Sequence, residues 1–197
     1  MQKTLKTFAS ALLAGGLLVA CGGQSTEPEA APSATESTEP ASTTLTIETV
    51  ENANSTLEEL AGAPLADIQV QSISISPSGN LSVDALDPAK PTELNQYVAY
   101  PDGRTDVRPY DYGGAEKYDA LLATLFSADL VKPETMVSAW EDSFNRVQGD
   151  RAEMEASGVT VAWDNINGGV EMYISNGPQR DRQTVYYDPT GTFLRVS

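Results

Sequence analysis

The sequence predicts an α+β fold built from two tandem units, each a helix followed by a four-stranded antiparallel sheet on which that helix packs. Three observations predict it. The phrase QYVAYPDGR at residues 96–104 returns as QTVYYDPTG at residues 183–191. Two segments carry apolar residues at steps of three and four, and the two sets align: Val50, Ala53, Leu57 and Leu60 against Val137, Trp140, Phe144 and Val147. The rest of the chain from residue 68 onward is dominated by short runs of alternating apolar and polar residues, separated by turns rich in Gly and Pro. That pattern marks half-buried strands.

Residues 47–61 read as the first helix, ended by Gly62-Ala63-Pro64. Ile68 and Val70 then alternate on one parity, and Ile73 and Ile75 on the other. One inserted residue exchanges the faces of a strand, so a bulge is expected between the two pairs. The run 76–80 is a turn, and Leu81, Val83 and Ala85 return as the second strand of a hairpin. Residues 87–93 read as a proline-bearing loop, residues 96–100 as a third strand, Pro101-Asp102-Gly103 as a turn, and residues 105–108 as a fourth strand.

After a loop at 108–114, Tyr118, Leu121, Leu122 and Leu125 place a connecting helix at about 115–127. Pro133 suits the first turn of the next helix, which carries Val137, Trp140, Phe144 and Val147. Val159, Val161 and Trp163 alternate as a strand, Asn167-Gly168 reads as a two-residue hairpin turn, and Val170, Met172 and Ile174 alternate on the way back. Residues 183–187 and 192–196 form the last pair of strands around Asp188-Pro189-Thr190-Gly191.

The units therefore span about 45–110 and 133–197. Gln96 aligns with Gln183, Tyr100 with Tyr187, Pro101 with Pro189, and Gly79 with Gly168. In layout this resembles the tandem α/β repeats of small secreted bacterial proteins, such as PepSY-like domains and repeats of the β-lactamase-inhibitor protein type. The resemblance implies a helix on one face of an antiparallel sheet, and binding through the exposed face or the seam between repeats.

The N-terminus points to export. Lys3 and Lys6 precede an uncharged apolar run at residues 8–20. A basic start before a run of that length is the pattern of a signal peptide. The run closes in Leu18-Val19-Ala20-Cys21, which resembles the lipobox of bacterial lipoproteins. That resemblance implies cleavage after residue 20, lipid on the Cys21 thiol, and attachment to the extracytoplasmic side of the plasma membrane or the outer membrane. Cys21 is the chain's one cysteine, which leaves no disulfide and no thiolate metal site. Residues 21–44 follow as a Ser, Thr, Glu, Pro and Ala tether with no aromatic and no large aliphatic side chain. Such a segment cannot bury enough apolar area to offset the entropy of ordering it. The globular domain is expected at 45–197, starting between Leu45 and Thr49.

The chain has 28 acids against 12 bases, no histidine, and a formal net charge of −16. That balance argues against nucleic acid, whose binding rests on neutralising phosphates. Without histidine the commonest general base and the commonest metal ligand are missing. Asp164-Asn165-Ile166-Asn167-Gly168-Gly169 fails as a calcium loop, because Ile166 stands where an oxygen ligand is needed. Asp102, Asp106 and Asp111 read as solvated loop acids. No metal and no cofactor is expected.

The expected function is a non-enzymatic binding or accessory module of the cell envelope, with an envelope protein, peptide or small ligand as partner. The alternative is a carboxylate-dependent hydrolase. The candidate ligand-binding residues are Tyr97, Tyr100, Trp163, Tyr186 and Tyr187, the aromatics on or beside the repeated strands. Asp84 and Glu171 are the acids flanked by apolar strand neighbours, and both take the polar parity.

Overall fold

The first helix of the computed structural model, α1 (Ile47–Ala61), begins where Thr46 adopts an extended backbone and its hydroxyl accepts the Thr49 amide. It ends at Gly62, whose left-handed φ of 67° suits a residue without Cβ. Residues 44–110 and 113–197 are described, and all belong to one compact unit, Glu39–Ser197. The signal peptide, the lipobox with Cys21, and all of the tether except Thr44 lie outside the described residues, as does Asp111.

The strands follow in order: β1 (Gln69–Ile75), β2 (Leu81–Asp87), β3 (Lys90–Ala99) and β4 (Thr105–Pro109). The connecting segment holds α2 (Tyr118–Leu122) and the two-residue β5 (Phe126–Ser127). Next come α3 (Pro133–Arg146), β6 (Val159–Asp164), β7 (Gly169–Asn176), β8 (Gln183–Tyr187) and β9 (Phe193–Val196). Among the described residues these strands form one antiparallel sheet in the order β4-β3-β2-β1-β6-β7-β8-β9, with β5 pairing to β1. The fold is therefore α+β with an antiparallel sheet. No helix among the described residues is long and apolar enough to cross a membrane.

Alternation fixes which face is buried. Val83, Tyr97, Val161, Met172 and Val185 are all within 2% of full burial and share one cluster with Val50 and Leu57 of α1 and Met136 and Trp140 of α3. Both long helices thus cover the same face. The bulge in β1 is present: the β1–β2 register shifts between Val70 and Ser72, which lets Val70 and Ile73 both face the core.

Three local expectations are corrected. Residues 87–93 are not one loop, because β3 starts at Lys90 after a tight turn in which Asp87 Oδ1 accepts the Ala89 amide. Pro91 is tolerated there because β4 pairs only with residues 95–99 of β3, so its missing N–H faces no partner strand on that side. The connecting helix is shorter than expected: a 3-10 turn leads into α2, and the chain is already extended at Phe126. Leu121 of α2 packs with Leu86 and Leu94, which have the opposite parity to Val83 and Tyr97. The connection therefore crosses to the outer face and shields two leucines that alternation alone assigns to solvent. Finally, Asp164 pairs with Gly169, so the β6–β7 loop has four residues, not the two that Asn-Gly suggested. The Asp164 carboxylate explains the longer loop: it accepts the amides of Ile166 at 2.8 Å and Asn167 at 3.3 Å.

Candidate functional site

Beyond the leucines under α2, the outer face is mostly small and polar. Ser72 and Ser74 on β1, Ser82 on β2, Thr160 on β6 and Ser175 on β7 take the outer parity. Ser72 donates to Asp84 and Thr160 to Ser74. One cross-strand row runs Asp84, Ser72, Ala162, Glu171. Asp84 and Glu171 thus share the outer face but stand three strand spacings apart, about 14 Å. Each is occupied separately, Asp84 by Ser72 and Gln96, Glu171 by Arg195.

Where β6 to β9 continue this face, its character changes. Tyr173 and Tyr186 are direct cross-strand neighbours, with ring centroids 6.0 Å apart. The Arg195 guanidinium lies 3.9 Å above the Tyr186 ring. Its orientation is fixed by Glu171, which accepts two parallel bonds at 2.7 and 2.8 Å. Asp164 Oδ2 stands 4.0 Å away on the same guanidinium. Ala162 sits between these larger groups and leaves a hollow of about 300 Å³. At its rim Ile166 rises from the loop tip, 91% exposed.

The electrostatics favour fixed charges. The hydrogen bonds to Glu171 raise the Arg195 pKa further above its already high ordinary value, with Tyr186 and Asp164 adding to the effect. The Ile166 amide, then the Asn167 side chain, hold the Asp164 carboxyl below its ordinary range. A locked bidentate ion pair, a cation over a ring and two adjacent phenols offer stacking and hydrogen-bonding surface.

The five candidate aromatics are not brought together. Tyr97 and Tyr187 are 2% and 0% exposed on the core face, opposite Val83 and Met172, and present nothing to a ligand. This corrects their assignment as binding residues. Tyr187 donates to Asp142 at 3.1 Å, and burial, reinforced by that carboxylate, pushes its hydroxyl well above the ordinary phenol range. Burial likewise raises Tyr97. Tyr100 lies beyond the end of β3, with Arg104 4.9 Å above its ring, beside a separate groove of about 430 Å³ along α1. Only Tyr186 and Trp163 border the hollow, and Trp163 has core parity, so Tyr186 is the one candidate on its floor.

Tyr173 and Arg195 are not among the residues the sequence singles out, and Glu171 is singled out there as an acid on polar parity, not as a ligand-binding residue. Tyr173 carries a signal that alternation could have given: it is an aromatic on polar parity, between Met172 and Ile174. Arg195 carries none, because its partner lies two strands away.

A second concavity, about 1280 Å³ and open to solvent, lies between α3, the β1–β2 turn and residues 151–158. Its chemistry is turned inward. Trp140 Nε1 donates to the Ser157 carbonyl, Arg151 covers Phe144 at 4.2 Å, and Arg182 pairs with Glu155 at 2.8 Å. Among the described residues no group of three or more acids is placed to hold a metal ion. Comparison with family models, with curated proteins and with solved structures finds no match.

Proposed function

We propose that this chain is a lipid-anchored extracytoplasmic protein, tethered through Cys21, that acts as a non-enzymatic binding module of the cell envelope with the Tyr173–Tyr186–Arg195 hollow as its ligand surface. One observation carries the binding reading. On a face whose other exposed positions are mostly serine, threonine and hydrogen-bonded acids, two tyrosines stand side by side under an oriented arginine, next to an isoleucine 91% exposed. Apolar groups concentrated in that way mark contact surfaces. Against the hydrolase alternative stands the separation of Asp84 from Glu171. Their backbones stand about 14 Å apart and each carboxylate is engaged by its own partners, whereas a carboxylate pair that shares one glycosidic bond and a water is held roughly 6.5–9.5 Å apart.

The tandem-unit reading belongs to the same proposal. It is supported by a strand order that runs outward from β1–β6 in both directions, with one helix before each set of four strands. It is also supported by Tyr97 and Tyr187, which oppose Val83 and Met172 at like positions of the two sets. On this register the equivalent of Tyr187 is Tyr97, three residues before Tyr100, so the two repeated phrases do not superpose position for position. The pair matching Tyr173–Tyr186 is then Asp84–Gln96, polar and hydrogen-bonded to one another. The aromatic pair is a difference between the halves, as expected if one half acquired a ligand.

Two experiments test these readings. Labelled palmitate should enter the wild-type protein in its native host and not Cys21→Ser; equal labelling would remove the anchor. Intact lipoprotein used to capture partners from its own envelope should retain them, whereas Tyr173→Ala and Tyr186→Ala should lose about tenfold in affinity or more with circular dichroism unchanged. Full retention by both variants would sink the hollow as the binding surface.

A further inference from the structure

Two Asn-Gly pairs occur in the described residues, and their surroundings are opposite. Asn176 is fully buried. Its amide nitrogen donates to Ser143 at 2.8 Å and its amide oxygen accepts the Gly177 amide at 2.7 Å. Asn167 stands exposed at the β6–β7 loop tip, and a Cβ at Gly168 would meet nothing within 4 Å. Glycine on the C-terminal side leaves the following nitrogen unshielded, which is what an attack on the asparagine side chain requires.

We propose that Asn167 is a site of spontaneous covalent modification, gated by Asp164. Solvent base takes the Gly168 amide proton, and the Gly168 nitrogen bonds to Cγ of Asn167. The Asn167 amide nitrogen takes a proton from solvent, the bond from Cγ to it breaks, and it leaves as ammonia. Water then opens the resulting succinimide at either carbonyl, giving aspartate or isoaspartate. The net change is amide plus water to carboxylate plus ammonium, with no oxidation or reduction.

Asp164 restrains both reacting groups. Its carbonyl accepts the Gly168 amide at 3.0 Å, and its carboxylate accepts the Asn167 amide nitrogen at 2.6 Å. While these bonds hold, the nitrogen and its target are kept apart in use. They are few, exposed and at a loop tip, where local opening needs little free energy, whereas Asn176 is freed only when core structure opens.

The product changes the loop. A carboxylate at position 167 would face Asp164 where an amide donor stood, and isoaspartate adds a methylene to the backbone beside Ile166. On the reading of the hollow as a binding surface, modification therefore alters its rim.

The test is peptide mapping by mass spectrometry of the purified full-length chain, held folded at mildly alkaline pH, with isoaspartate detection. In the folded protein Asn167 should convert on the order of a hundredfold faster than Asn176, and in denaturant the two should convert alike. Asp164→Ala should accelerate conversion at Asn167 and leave Asn176 unchanged. If folded Asn167 keeps its amide for as long as the denatured chain takes to lose it, or converts no faster than Asn176, the proposal is overturned. The mass readout needs no ligand, so its failure is separate from any failure of the binding reading.

Discussion

Trp140→Ala is expected to lower stability by about 4 kcal/mol, which for a domain of this size moves the melting temperature down by about 10 °C. Trp140 is 4% exposed, at the centre of the face that α3 turns to the sheet. It meets Phe144 edge-on with ring centroids 5.0 Å apart. Its Nε1 donates at 2.8 Å to the carbonyl of Ser157, the residue through which the segment before β6 is tied to β7. Truncation removes the largest side chain of the helix and leaves that carbonyl without its donor. Trp140→Phe keeps most of the apolar volume and loses the bond, so it should cost less than half as much. Chemical denaturation with fluorescence detection separates the two. Equal losses would mean that the hydrogen bond, not the volume, carries the effect.

Gly158→Ala is expected to cost about 3 kcal/mol. A Cβ at this position would overlap the Ile75 carbonyl oxygen and lie 2.6 Å from the Ser76 Cα. Both are backbone atoms of the neighbouring strand and turn, so no side-chain rotation relieves the clash. The backbone at Gly158 is not left-handed. The whole effect is one of space, at the point where the chain enters β6 directly beside β1. Gly79→Ala is the contrast: it meets nothing within 4 Å and bears only the strain of a φ of 85°, about 1 kcal/mol. Comparable unfolding midpoints for the two variants would show that β1 and β6 can move apart at this end.

What the sequence disclosed follows from how local the cause is. The helix faces, the β1 bulge between Val70 and Ile73, and the hairpins were readable because alternation and three-to-four periodicity are properties of neighbouring residues. The packing of Leu121 on Leu86 and Leu94 was not readable, since its cause is a chain segment returning across the far face of the sheet. The β6–β7 loop failed for a different reason: Asn-Gly favours a two-residue turn, but the Asp164 side chain accepts two loop amides and stabilises four residues instead. The hollow was half legible. Tyr186 stood out as an aromatic in a repeated strand, while the Glu171–Arg195 pair exists only because β7, β8 and β9 lie side by side. Parity also separates Tyr186 from Tyr187, and applying it to the five candidate aromatics would have sent Tyr187 to the core.

The pairing of β1 with β6 bears on the order of assembly. Most other strand pairs in the sheet join chain neighbours across a short turn, but this one joins Ser72 to Ala162. Hairpins close quickly, whereas a contact between residues so distant in the chain waits on a long loop closure whose entropy must be met before the contact rewards it. Two meanders can therefore form early, each with an unpaired edge at β1 or β6 and an apolar face not yet fully covered. The last long-range step zips those two edges together. Until it does, Ile73, Ile75, Val159 and Val161 form adhesive strand borders of the kind that recruit other chains. The interval before that closure, rather than any weakness of the finished sheet, is when this protein is most exposed to aggregation.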